Sequence, residues 1–353
     1  MRTRLPRPPR SPLLPLAALV LGLAAARGPA AGAPDEAAAQ CRQLGRGINA
    51  FAGDPIWGSF DRARFRQEHF ALVRAGGFES LRVNLNPFAH MGGAPGYLLE
   101  PSWWRTLDWI VAQAGAARLA VVLDLHEFEA LGRDPEGNRA RFLAFWAQAA
   151  PHFRDAPPSV LFEILNEPNT RLTPPLWNEY LAGALALIRQ SNPDRAVVVG
   201  PANYNSASHL DELSLPDGDR HLIVTVHYYQ PMEFTHQGAS WTKTRYPVGT
   251  RWEGTAAERA VVARDFARVQ AWAEQHRRPI FLGEFGAYDK ADMASRARYT
   301  DCVARTAESL GWSWAYWQLD GDFIAYDFGR GAWVPEIHGA LVPDAGRPAR
   351  PGG

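Results

Sequence analysis

Val160-Leu161-Phe162-Glu163-Ile164-Leu165-Asn166-Glu167-Pro168-Asn169 is the stretch on which the fold turns. It opens as a β-branched and aromatic run suited to a buried strand. It closes on an amide, a carboxylate and a proline that cannot extend a ladder. A hydrophobic strand ending this way sets a carboxylate at its C-terminal mouth, where α/β architectures keep their chemistry. What the stretch leaves open is whether the rest of the chain supplies a second carboxylate to match.

Outward from this strand the pattern alternates. Strands are predicted over 45–51, 79–85, 119–125, 160–165, 196–199, 222–227, 279–283 and 312–317. Helical spacing separates most of them, over 62–75, 102–118, 136–153, 176–190, 256–276 and 291–310. The segment between Val199 and Leu222 is short and weakly patterned, and a long Gly/Trp-rich loop runs from Tyr229 to Gly254. Eight strands in regular β-α alternation, with no internal repeat or second composition zone, predict an α/β fold, a single (β/α)8 TIM barrel over 44–342. A doubly wound sheet is the alternative.

The ends of the chain read differently. Arg2, Arg4, Arg7 and Arg10 precede an apolar run from Leu13 to Ala26 that is short for a membrane span. Residues 1–33 are therefore expected to be a signal peptide cleaved between 26 and 33, against the alternative of an N-terminal anchor helix. That places the mature chain outside the cytoplasm, secreted or periplasmic. An Ala-rich connector is expected over 34–43 and a disordered tail over 343–353. With 37 basic and 37 acidic residues the formal charge is zero, so nothing points to nucleic acid. The 13 Trp are high for the length, and flat amphipathic rings suit both cores and sugar stacking. Cys41 and Cys302 allow either a disulfide or two separate buried thiols.

Side-chain parity identifies what the strand ends carry. Glu163, Leu165 and Glu167 share one face of the fourth strand. Arg82 shares a face with Asn84, Asp124 with His126, Thr225 with His227 and Tyr229, and Leu282 with Glu284. Five strands thus bring polar groups to one end of Val/Ile/Leu runs.

These residues carry a resemblance. Leu81-Arg82-Val83, Asp124-Leu125-His126, Glu163-Ile164-Leu165-Asn166-Glu167-Pro168, His227-Tyr228-Tyr229, Phe281-Leu282-Gly283-Glu284-Phe285-Gly286 and Ala315-Tyr316-Trp317 resemble, in order, the motifs of glycoside hydrolase family 5. This is the cellulase family of the barrel-fold retaining glycosidases. The resemblance implies Glu167 as general acid/base and Glu284 as nucleophile. It implies that Asn166 holds the sugar 2-hydroxyl, that Arg82 and Tyr229 hydrogen-bond the nucleophile, that His126 and His227 line the same subsite, and that Trp317 is the platform under the attacked sugar. It further implies an exported, monomeric endo-1,4-β-glucanase acting on a β-glucan polysaccharide, with no metal or organic cofactor. Mannan, mixed-linkage glucan and xyloglucan are alternative substrates.

Physical chemistry supports that division of roles. A retaining pair needs carboxyls about 5–5.5 Å apart, one protonated and one ionised. Arg82 gives Glu284 a reason to stay charged, whereas Glu167 has no sequence-evident cation. Glu163 and Asp124 lie deeper and read as buried structural partners. Asn49, His90, Trp57, Trp241 and Trp252 are candidates for lining a longer cleft. Two other classes remain: a non-catalytic carbohydrate-binding barrel, which retention of both carboxylates disfavours, and a metal-dependent hydrolase, which would want a His-x-His pair that the sequence lacks.

Overall fold

The computed structural model describes residues 36–343. The expected signal peptide, 1–33, and nearly all of the expected tail, 343–353, lie outside them. In chain order come α1 (Glu36–Leu44), β1 (Arg46–Ala50), α2 (Gln67–Ala75), β2 (Ser80–Leu85), α3 (Pro101–Ala116), β3 (Ala120–Leu125), α4 (Phe128–Arg133) and α5 (Pro135–His152). β4 (Val160–Glu163), α6 (Pro174–Ser191), β5 (Val197–Val199), the short turn α7 (Ala202–Asn205), β6 (Leu222–Tyr228), α8 (Met232–Thr235) and α9 (Ala256–His276) follow. The chain continues with β7 (Ile280–Phe285), α10 (Met293–Ser309), β8 (Ser313–Tyr316), a two-residue antiparallel pair β9 (Tyr326–Asp327) and β10 (Ala332–Trp333), and α11 (Pro335–Leu341). Strands β1 to β8 pair in sequence order and close into a parallel barrel, so the fold is a single (β/α)8 TIM barrel.

Local chemistry sets the element ends. Proline opens α3, α5 and α6, where its missing N–H costs no helix bond. Thr255 and Glu258 form a reciprocal capping box on α9. Every residue of β2, β3, β6 and β7 is buried, as expected for parallel strands covered by helices outside and filled by side chains inside. Outward residues such as Leu81, Val121, Phe162 and Val224 join the helices in one apolar cluster.

The inner floor is a second, smaller cluster, and it corrects the reading of 34–43 as a connector. Residues 36–43 form most of α1, which plugs the bottom of the barrel. Ala37, Cys41 and Leu44 pack with Ala120, Val122, Leu161, Val198, Ile223, Phe281 and Ala315. The carbonyls at the C-terminal end of α1, which no helix N–H can reach, accept from strand hydroxyls: Ser80 Oγ to Leu44 O at 2.7 Å and Ser313 Oγ to Cys41 O at 2.6 Å. Of the alanines that read as low complexity, Ala37 is the one buried in the floor, where a small residue fits a narrow barrel. The Cys41 thiol donates to the Ile280 carbonyl, and Cys302 is a separate buried residue of α10, so the two cysteines form no disulfide.

One inferred register is also corrected. Leu282 packs outward in the helix-facing cluster, while its neighbour Phe281 faces the floor. Glu284 still points inward because β7 carries a bulge. Val226 pairs with Leu282, but His227 pairs with Glu284, so Gly283 is the extra residue. A Cβ on Gly283 would sit 2.5 Å from Thr225 Oγ1 and 2.9 Å from His227 Nε2, and so only glycine fits the bulge.

Because α1 closes the floor far from the strand mouths, Leu44→Ala should lower unfolding free energy by about 2–5 kcal/mol through the cavity it leaves. The folded variant should keep its catalytic rate. Denaturant unfolding combined with turnover per folded molecule measures both, and an unchanged midpoint would refute the plug.

Candidate active site

At the mouth of the barrel the site is built around Arg82, whose side chain is fully buried. Its Nε and Nη2 form a two-pronged pair with Glu163 at 2.7 and 2.8 Å. Nη1 donates to Asn49 Oδ1 at 2.8 Å and to Glu284 Oε1 at 2.7 Å, and Nη2 donates to Asn166 Oδ1 at 2.8 Å. Asp124 Oδ2 lies 3.1 Å from Nη2. All five guanidinium hydrogens are used, from β1, β4 and β7 and the turn that follows β4. Burial opposes the Arg82 charge, but Asp124, Glu163 and Glu284 outweigh it and raise its pKa further.

Glu284 accepts a second bond from the Tyr229 hydroxyl at 2.9 Å. Burial, then the Glu284 charge, push the Tyr229 phenol well above its ordinary range, so it remains a donor. Both oxygens of Glu284 are therefore held as acceptors, Oε1 by Arg82 and Oε2 by Tyr229.

Glu167 sits differently. It follows Asn166, whose N–H still bonds the Leu125 carbonyl at 2.9 Å and extends the β3–β4 ladder. Glu167 itself has φ of 42°, a left-handed conformation that turns the chain out of the strand just before Pro168. Its Oε1 is 2.8 Å from His227 Nδ1. Burial, with smaller opposing effects from His126 and Arg82, raises its pKa to about 7. One oxygen each from Glu167 and Glu284 and a nitrogen of His227 lie within 4.8 Å of one another. Among the described residues this trio is close enough to share a metal ion, but its donors are already engaged: His227 with Glu167, and Glu284 with Arg82 and Tyr229.

The two histidines have opposite characters. Burial lowers His227 to about 3, so its ring is neutral. Burial also opposes charge on His126, yet Asp124 at 2.6 Å outweighs it and raises the pKa. The His126 ring lies parallel to Trp317, with centroids 5.5 Å apart and planes at 7°. Glu163, deeper in the barrel, is raised to about 7 by burial and by Asp124, with Arg82 pulling it back.

The structure thus gathers Arg82, His126, Asn166, Glu167, His227, Tyr229, Glu284 and Trp317 around one mouth. All but Arg82, which lies beneath, line a cavity of about 970 Å³. Of the weaker candidates, Trp241 lines this cavity. Asn49 does not: it is fully buried, accepts from Arg82 and Asn84, and donates to the Gly283 carbonyl at 2.9 Å. His90 faces Glu100, Trp57 stacks on Trp103, and Trp252 is buried against Tyr299. Sequence reasoning missed Asn203, Tyr204 and Asn205 in the weak segment after β5. Tyr204 lines the cavity and is 46% exposed, and Asn205 reaches His227 Nε2 at 3.2 Å. An Asn-Tyr-Asn run after a strand was the available signal. Gln318, Asp322 and Phe323 complete another wall.

Comparison with known proteins places this geometry. Residues 39–322 match the family model for cellulase (glycosyl hydrolase family 5). Endoglucanase H of Acetivibrio thermocellus is 28% identical over 308 residues, covering 85% of this chain and 33% of that protein. Endoglucanase B of Clostridium cellulovorans is 24% identical, covering 78% and 64%. The chain therefore spans about a third to two thirds of these relatives. Among solved structures, Thermotoga maritima Cel5A in complex with cellobiose superposes with a TM-score of 0.82 at 36% identity, covering 86% of this chain and 99% of that one. A second structure of Cel5A, in complex with mannotriose, gives 0.81 at the same identity and coverage. A fold that closes on Asn166-Glu167 and Glu284, matched over most of its length, puts the chain in glycosyl hydrolase family 5.

Proposed function

We propose that this protein is an endo-1,4-β-glucanase that cleaves β-glucan chains with retention, using Glu284 as nucleophile and Glu167 as acid/base. The observation that carries the reading is the pair of carboxyls whose near oxygens lie within 4.8 Å, one anchored by two donors and the other raised to about 7 by burial. Near oxygens this close fit the short carboxyl separation of a retaining pair, about 5–5.5 Å, better than the wider gap of an inverting one.

In the first step the Glu284 carboxylate attacks the anomeric carbon. The glycosidic C–O bond breaks, and the Glu167 proton goes to the departing oxygen. In the second, Glu167, now ionised, takes a proton from water. The water oxygen attacks the same carbon, and the ester to Glu284 is released as carboxylate. Asn166 immediately precedes Glu167 and is held by the same Arg82 guanidinium as Glu284, which suits it to the 2-hydroxyl beside the reacting carbon, and Trp317 offers its face as the floor of that subsite. Tyr204 and Trp241 extend an aromatic surface along the cavity, which supports attack within a chain.

Neighbours solved with cellobiose and with mannotriose support glucan first and mannan as the second reading. The basic and apolar N-terminal sequence supports export of the mature chain. Digestion of barley β-glucan, carboxymethyl-cellulose, xyloglucan and mannan, with product sizes followed over time, tests the substrate. Rapid viscosity loss on the glucans, with the first-formed sugar retaining its anomeric configuration by NMR, is expected. Inversion, or no hydrolysis of any of the four, would overturn the proposal.

Substitutions separate the two roles. Glu284→Gln should lower turnover about 10⁴-fold or more while polysaccharide binding persists. Glu167→Ala should lose about 10²–10⁴-fold on glucan yet recover with azide on an activated aryl glycoside, giving a β-glycosyl azide. Absence of that adduct would remove Glu167 from the role.

The pH dependence follows from the sign of the Glu167 shift. The acid works only when protonated, and its pKa is raised to about 7. On a cello-oligosaccharide kcat/KM, which reports the free enzyme and the first bond cleavage, should therefore fall as pH rises through about 7. An aryl glycoside with a good leaving group should lack that fall. Identical alkaline limbs for both substrates would show that another group controls it.

A further inference from the structure

We propose that Asn205 is a positioning residue that holds the ring proton of His227 on Nδ1 and thereby keeps the acid proton of Glu167 on Oε2, toward the departing oxygen. The inference rests on the acid/base reading of Glu167.

The turn that carries Asn205 is unusual. Asn203, Tyr204 and Asn205 have φ of 58°, 65° and 52°, three consecutive non-glycine residues in the left-handed region. Asparagine tolerates that region, but tyrosine rarely enters it, so the turn persists only because its surroundings over-determine it. The Tyr204 N–H bonds the Pro168 carbonyl at 3.1 Å, which ties the turn to the residue after Glu167. Asn205 itself is completely buried, and its Nδ2 lies 3.2 Å from His227 Nε2.

The orientation of the Asn205 amide follows from what lies on its other side. Oδ1 points at Gly200, 2.2 Å from where a Cβ would stand, and the same spot is 3.0 Å from the Thr225 methyl. Thr225 Oγ1 is turned away, toward Gly283. Oδ1 is buried there without a hydrogen-bond partner, and reversing the amide would put an NH2 in its place against a methyl and a Cα, which costs more than leaving a carbonyl oxygen without a donor. Nδ2 therefore faces the ring and donates, and Nε2 must accept. A neutral imidazole has one proton for two nitrogens, so the proton is on Nδ1.

From there the consequence reaches the reacting atoms. Nδ1 is 2.8 Å from Glu167 Oε1 and 3.5 Å from Glu284 Oε2. With Nδ1–H donating, Glu167 Oε1 is an acceptor, and the carboxyl proton sits on Oε2. With the opposite tautomer, Nδ1 would be an acceptor, and the Glu167 proton would turn to it and away from the substrate. Asn205 touches neither substrate nor Glu167. It acts through the ring.

The test begins with the unmodified enzyme. In long-range ¹H–¹⁵N spectra of protein labelled at histidine, His227 should show a protonated Nδ1 and an unprotonated Nε2. In Asn205→Gly, which keeps the left-handed backbone and removes the amide, the ring should shift toward the Nε2–H form. The variant should lose about 10–100-fold in kcat on a cello-oligosaccharide, a share of the general-acid contribution. Its rate on 2,4-dinitrophenyl cellobioside, whose departure needs no proton, should stay near that of the unmodified enzyme. A proton on Nε2 in the unmodified enzyme overturns the inference whatever the substrate. So does a variant that keeps Nδ1–H, or one that loses both substrates alike, as a structural defect would. A spectrum as expected from an enzyme inactive on all glucans upholds the hydrogen bond and rejects the acid/base reading instead.

Discussion

A guanidinium out of reach of water is costly, and Arg82 meets that cost by using every donor it has. Its five N–H bonds go to Glu163 twice, to Glu284, to Asn49 and to Asn166, while Asp124 adds charge from β3. Removing one partner from such a set leaves an uncompensated charge, so each member constrains the others. Arginine's planar fork suits this and a lysine's point charge would not, because the acceptors lie in several directions around one plane. Through this group the mouth of the barrel is made rigid before any sugar arrives, and Glu284 is held by the same cation that orders Asn166.

One cation among three carboxyls does not balance, and the imbalance shapes the rest of the site. Burial and the remaining negative charge raise Glu163, and Asp124 makes His126 a better base than a buried histidine would otherwise be. Glu167 lies beyond the reach of direct contact with Arg82, so desolvation dominates there and favours its protonated form. Two glutamates four residues apart in one stretch, Glu163 and Glu167, are thus both raised for different reasons. Only Glu167 faces the cavity.

Much of this was legible in the chain itself. The eight strands and the regular helices between them follow from periodicity, and Asn166-Glu167-Pro168 with Gly283-Glu284 marked the mouth. What was not legible depends on contacts between distant segments. Nothing in the Ala-rich stretch says that Ala37 and Cys41 face a barrel floor, because small residues look alike in a linker and in a tight plug. Parity along β7 failed at Leu282, since strict alternation cannot anticipate one inserted glycine. Asn49 read as a cleft residue by its place on β1, yet Arg82 and the Gly283 carbonyl claim it.

The inserted Gly283 and the left-handed turn at Asn203–Asn205 act on the same histidine from two sides. The bulge brings His227 level with Glu284, and only a glycine lets the ring approach the β7 backbone. The turn brings the Asn205 amide to the far nitrogen of that ring. The bulge also turns Glu284 inward, whereas Asn205 touches neither carboxyl. A ring caught between bulge and turn has Nε2 toward Asn205 and Nδ1 toward Glu167 at 2.8 Å, with Glu284 3.5 Å from the same Nδ1. Irregular backbone on both flanks of β6 is therefore what gives His227 a defined direction, and through it gives direction to a proton on Glu167.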